Sequence, residues 1–126
     1  LMEIKLCASI YDERFKIPVY SQLQPVINFI EDHYFNNLSL EDMARIIQTS
    51  PQYLCRLFKR TLHVRPFVYL TKCRIQKAKE MLVTDTRMPV MEIAKKVGYQ
   101  DPSYFCAVFK EYEGITPQGF RKGWEY

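Results

Sequence analysis

Glycine is scarce in this chain, with four in 126 residues. No stretch alternates apolar and polar residues persistently, so little of the sequence suits a β-sheet. There is no glycine-rich loop to cradle a phosphate and no pair of carboxylates spaced for acid–base work. The two histidines, His33 and His63, stand apart. The four cysteines, Cys7, Cys55, Cys73 and Cys106, form no C-x-x-C pair and have no histidine at zinc-ligand spacing. Such a pattern fits reduced thiols in the cytosol. It offers no nucleophile an activating base, which argues against an enzyme, and no metal or cofactor is expected. No apolar run approaches the roughly 18 residues of a membrane span. The first residues lack the basic-then-apolar order of a signal peptide.

What is present is a chain that can pack. Hydrophobic residues make up 48% of it, enough to form a core in one domain or two very small ones. Charge is unevenly placed. Residues 1–37 carry three basic and five acidic side chains, whereas residues 38–126 carry fifteen and nine. The later part therefore suits a polyanionic partner.

Apolar spacing and proline placement predict helices at 22–35, 40–47, 51–62, 66–82, 89–97, 102–113 and 117–122, an all-α fold. In the first, Val26, Ile27, Ile30 and Tyr34 share one side. In the second, Ser39 is an N-cap with Asp42 three residues on, and Met43, Ile46 and Ile47 are expected to face inward. Ser50-Pro51, Asp101-Pro102 and Thr116-Pro117 each place a capping residue before a proline at the first helical position. Pro66 and Pro89 are expected to open helices too. On the 66–82 helix, Phe67, Leu70, Ile75, Ala78, Met81 and Leu82 form an apolar arc that includes Arg74. A charge there needs a partner, so Arg74 is expected to be structural, paired with a carboxylate or with helix-end carbonyls.

One piece occurs twice. "SPQYLCRLFKR" (50–60) and "DPSYFCAVFKE" (101–111) share Pro, Tyr, Cys, Phe and Lys at a constant offset of 51 residues. Each follows a short helical stretch with a central alanine, Ala44 or Ala94, and a tight turn, the second one residue longer and built around Gly98. Short helix, turn, second helix is the helix-turn-helix arrangement. On a wheel, Leu54, Leu57, Phe58 and Thr61 face one way and Gln52, Cys55, Arg56 and Lys59 the other. In the second copy Phe105, Val108 and Phe109 are expected to face in, and Ser103, Cys106, Ala107 and Lys110 out. An exposed face with Gln and Arg near a helix N-terminus suits a DNA major groove, where Arg pairs with guanine and Gln with adenine. Phosphates suit the helix N-termini. A connecting helix of roughly 25 Å between two such units, set against major grooves about 34 Å apart, would let one chain read two grooves.

These residues carry a resemblance. From about Gln24 to Lys122 the chain is similar to the DNA-binding domain of the AraC/XylS family of bacterial transcription regulators. The motifs are "LSLEDMARIIQTSPQYLCRLFKR", "RIQKAKEMLV" and "VMEIAKKVGYQDPSYFCAVFKEYEGITPQGFRK", the last with Ile93, Ala94, Gly98, Tyr99, Phe105, Phe109, Lys110, Gly114, Thr116, Pro117 and Arg121 at the family's positions. The resemblance implies seven helices and binding to double-stranded promoter DNA. Base contacts would come from Gln52, Cys55 and Arg56 in the first recognition helix, and from Pro102, Ser103 and Cys106, with Ala107 in the same patch, in the second. Ser50, Lys59, Arg60, Asp101 and Lys110 would lie at phosphates. Arg74, Gly98 and Pro117 would be structural. The units would be 21–65, a linker helix 66–82, and 83–126.

Three positions depart from the family pattern, in two ways. Cys55 and Cys106 replace residues that are commonly polar, and Ala107 replaces one that is commonly basic. Specificity is therefore expected to lean on Arg56. The resemblance also implies a separate effector-sensing domain, with residues 1–20 the remnant of a preceding domain or linker, a homodimer formed through that domain, contact with RNA polymerase, and a cytoplasmic, nucleoid-associated location. Two other readings fit the same residues: a redox-responsive version of the same regulator acting through Cys55 and Cys106, and a helical protein-interaction module.

Overall fold

A computed structural model of the chain describes residues 18–123. Among the described residues there are seven helices and no strand: α1 (Pro18–His33), α2 (Leu40–Ile46), α3 (Pro51–Leu62), α4 (Pro66–Thr84), α5 (Val90–Lys96), α6 (Pro102–Glu113) and α7 (Pro117–Gly123). The all-α expectation holds. Of the reading of residues 1–20 as a remnant, the part covering 1–17 lies outside the described residues, and α1 begins at Pro18. That start is four residues earlier than the spacing predicts. Pro25 then falls inside the helix, where it cannot donate a ladder hydrogen bond. The helix ends earlier too, at His33, whose Nδ1 donates to Phe29 O at 3.1 Å while the two rings stack 4.7 Å apart.

The chain divides within α4 into two compact units, one ending at Cys73 and the other beginning at Arg74. The core of the first unit gathers Leu23, Val26, Ile27 and Ile30 of α1, Leu38, Met43 and Ala44 of α2, Leu54, Leu57 and Phe58 of α3, and Tyr69, Leu70 and Cys73 of α4. The 23/26/27/30 spacing is the i, i+3, i+4, i+7 stripe of an amphipathic helix. On α2 the expectation for Ile46 fails, since that side chain is 40% exposed. Ala44 and Met43 face the core instead. Helical rotation puts Ile47 on their side and Ile46 on the flank. Ser39 Oγ accepts from Asp42 N at 3.0 Å and Ser39 N donates to Asp42 Oδ2 at 3.2 Å, a complete capping box.

The second unit buries Ile75, Ala78 and Leu82 of α4, Val90, Ile93 and Ala94 of α5, Val97, Tyr99, and Phe105 and Phe109 of α6. Its rings form a run: Tyr99–Phe105 at 5.4 Å, Phe105–Phe109 at 5.9 Å and Phe109–Phe120 at 5.8 Å. Because the residues α4 buries belong to two different units, one wheel drawn over the whole helix misplaces Phe67, which is 45% exposed, and Met81, which is half-buried. Pro89 does not open α5. It is the N-cap, with extended backbone (ψ 148°), and its carbonyl accepts from Glu92 N and Ile93 N.

The C-terminal end of α4 has no basic residue of its own in the last turn. Arg121 of α7 fills that role, donating from Nε to Leu82 O at 3.1 Å and from Nη2 to Asp85 O at 3.2 Å. A cation there satisfies orphan carbonyls and opposes the negative end of the helix dipole. Lys79 pairs with Glu113 at 3.0 Å and lies 5.7 Å from the centre of the Phe120 ring.

Candidate nucleic-acid interface

The two helix-turn-helix pieces are built by the same local chemistry. At the end of the first helix Gln48 N donates to Arg45 O and Thr49 N to Ala44 O. Fifty residues on, Gly98 N donates to Lys95 O and Tyr99 N to Ala94 O. Both turns need a left-handed residue, Gln48 (φ 53°) in one and Gly98 (φ 105°) in the other. The alanines that precede them, Ala44 and Ala94, are buried, as a close helix crossing requires. The extra residue of the second turn lies between Tyr99 and Pro102, which moves the correspondence from an offset of 50 to one of 51.

Each second helix then starts alike. Ser50 Oγ accepts from Tyr53 N at 3.1 Å, and Asp101 Oδ1 accepts from Ser103 N at 2.9 Å, each before a proline. Each ends alike as well. His63 (φ 63°) and Gly114 (φ 83°) adopt the left-handed conformation and return their N–H groups to Lys59 O and Lys110 O. The correspondence runs on into the next helix. Phe58 meets Tyr69 edge-on at 6.1 Å, and Phe109 meets Phe120 edge-on at 5.8 Å. The repeat thus extends beyond Glu111, and the sequence carries its signal in the pairs His63/Gly114, Pro66/Pro117 and Tyr69/Phe120, all 51 apart.

The faces divide largely as the wheel predicts; Cys55, Cys106 and Val108, each half-buried, lie at the boundary. On α3, Leu54, Leu57, Phe58 and Thr61 are buried, Gln52, Arg56, Lys59 and Arg60 are exposed, and Cys55 is half-buried. On α6, Phe105 and Phe109 are buried, Ser103, Ala107 and Lys110 are exposed, and Pro102 and Cys106 are half-buried. Val108, expected to face in, is only half-buried. Two tyrosines add to these faces. The Arg56 guanidinium carbon lies 5.8 Å from the centre of the Tyr53 ring. Tyr104, in the equivalent place, is 60% exposed and sits 5.9 Å from Tyr99. Burial pushes the Cys106 thiol up from its ordinary value, which keeps it protonated and a poor nucleophile near neutrality. Among the described residues, no group of three or more His, Cys, Asp or Glu side chains could hold a metal ion. No described helix is long and apolar enough to cross a membrane.

Of the residues expected to be structural, Gly98 and Arg74 are in contact. An added Cβ at Gly98 would come within 3.0 Å of the Arg74 guanidinium carbon, and that carbon lies 5.2 Å from the centre of the Tyr99 ring. Pro117 is buried at the start of α7.

A family described as a helix-turn-helix domain matches residues 43–123. The chain is 33% identical over 112 residues to YdeC, an HTH-type transcriptional regulator of Bacillus subtilis (strain 168), covering 89% of this chain and 38% of that one. It is 31% identical over 115 residues to the arabinose operon regulatory protein of Escherichia coli (strain K12), covering 90% of this chain and 39% of that one. The solved C-terminal domain of AraT, a response regulator from Geobacillus stearothermophilus, matches with a TM-score of 0.77 at 34% identity, covering 85% of this chain and 86% of that one. The chain thus spans well under half the length of these two curated relatives. It belongs to the AraC-type helix-turn-helix family, the DNA-binding domain of transcription regulators and not an enzyme family.

Proposed function

We propose that this chain reads a bipartite promoter site, with α3 and α6 each entering a major groove and the two grooves one turn of DNA apart. The observation that carries the reading is the duplication: two proline-opened, side-chain-capped helices, each with an aromatic or aliphatic face buried and a polar face exposed. Bases are read by Gln52, Cys55 and Arg56 on α3 and by Pro102, Ser103, Cys106 and Ala107 on α6. Arg56 carries most of the discrimination, because Ala107 stands where its counterpart would be. Lys59, Arg60 and Lys110 neutralise phosphates. Ser50 and Asp101 act through the helix ends they cap; the Asp101 carboxylate itself would repel a phosphate. Residues 21–65 and 83–126 form the two reading units, joined by 66–82.

In this reading the domain has no catalytic role. It acts in the cytoplasm on the nucleoid, touches RNA polymerase, and takes its signal, and a homodimeric state, from an effector-sensing domain elsewhere in the protein. The test is binding of the chain to a promoter-length duplex as salt is raised. Affinity should fall steeply, and Lys59→Ala or Lys110→Ala should each lower the slope by about 1. Binding that ignores salt would overturn the proposal and favour a protein-interaction module.

A further inference from the structure

We infer that Tyr53 is a positioning residue for Arg56: its ring is the platform that aims the guanidinium at a base edge. The inference rests on the base-reading role proposed for Arg56. Tyr53 is fixed through both its backbone and its side chain. Its backbone N–H is the one capped by Ser50 Oγ, at 3.1 Å, and its side chain is half-buried and packed against the first unit's core. Arg56 follows three residues on, on the same helical face, with its guanidinium carbon 5.8 Å from the ring centre.

This contact suits groove reading. A guanidinium that stacks on a ring offers its flat face, whereas recognition of guanine uses its N–H fork, which points outward in the plane. In that arrangement Tyr53 restrains the long side chain and leaves free the donors that the base needs. An exposed arginine is otherwise free to rotate, and ordering it on binding opposes affinity. A side chain already laid over a fixed ring loses less. The second copy supplies a contrast within the same chain. Tyr104 repeats the ring, but the residue three positions on is Ala107, and the ring is 60% exposed. The repeat retains the platform without its arginine.

The test uses the whole chain and four variants, Tyr53→Phe, Tyr53→Leu, Arg56→Ala and Tyr53→Leu/Arg56→Ala, each first shown to be folded by its melting curve. Two readouts are taken: the ring-current shift of the Arg56 side-chain protons in the free protein, and discrimination at the base pair that Arg56→Ala blurs. Tyr53→Phe should keep both. Tyr53→Leu should abolish the shift and reduce discrimination about two- to fivefold, and should add nothing once Arg56 is alanine. If Tyr53→Leu reduces discrimination equally in the Arg56→Ala background, Tyr53 is merely structural and the inference is overturned. If Arg56→Ala blurs a base pair and Tyr53→Leu does not, the inference alone is overturned. If Arg56→Ala blurs nothing, the base-reading proposal fails and takes this inference with it.

Discussion

Arg74 lies against Gly98, so that any β-carbon at position 98 would come within 3.0 Å of the Arg74 guanidinium. The turn of the second helix-turn-helix unit therefore needs glycine for its left-handed φ of 105°, and an added methyl would also displace the Arg74 guanidinium from its place. Gly98→Ala is predicted to cost about 2 kcal/mol or more of stability, with about 1–2 kcal/mol from the backbone alone. Arg74→Ala should also lower the melting temperature, while altering base preference little. Combining them should cost less than the sum, because removing the guanidinium relieves the clash and leaves only the backbone strain. Thermal melts of the two single variants and the double variant check this; strict additivity would contradict it.

Arg121 closes the C-terminal end of α4 from 37 residues beyond Thr84. Arg121→Ala removes two hydrogen bonds from a charged donor and leaves carbonyls unmet, so about 1.5–3 kcal/mol should be lost. Arg121→Lys should recover only part of it, since an ammonium cannot span both carbonyls as the planar fork does. Urea unfolding of the three proteins measures this. Equal stability of the lysine variant and wild type would argue against the forked cap.

The Asp42 carboxylate is held below its ordinary value of 3.8, chiefly by the backbone hydrogen bond from Ser39 in the capping box. A carboxyl group with a depressed folded-state value adds stability that is fully present above the unfolded value and is lost as pH falls through the folded one. Asp42→Asn should therefore lower the melting temperature near neutrality. The gap from wild type should narrow as pH drops below about 3.8. A gap that stays constant into that range would mean the ionised cap contributes nothing.

Ala107→Arg places an arginine three residues after Tyr104, the relation Arg56 has to Tyr53. The variant is expected to gain a guanine preference in the part of the site read by α6, worth about 5- to 150-fold in discrimination. Selection of bound duplexes from a random pool would reveal a base pair newly specified relative to wild type. An unchanged motif would mean that α6 does not present this face to base edges.

Much of this architecture is legible in the sequence because local signals coincide. Ser-Pro and Asp-Pro starts, apolar stripes and the offset of 51 place α3 and α6 at their observed bounds. What escapes falls into three kinds. Phe67 is misassigned because α4 buries residues in two units and a wheel assumes one core. Ile46 is misassigned because α2 has only seven residues, too few to separate a core stripe from its flank. The Arg121 cap and the Lys79–Glu113 pair are invisible because each joins residues more than thirty positions apart, which periodicity cannot link. The Arg56–Tyr53 contact was open to inspection, since i, i+3 spacing places the two side by side. A helical wheel shows the spacing but not that the two side chains meet.

The most direct test of the central claim is selection of bound duplexes from a random pool by the wild-type chain and by Arg56→Ala, side by side. Two-groove reading predicts a bipartite motif whose parts lie about 10 bp apart, with one part blurred by the substitution and the other unchanged. A single uninterrupted motif, no enrichment, or a motif identical for the two proteins would contradict it.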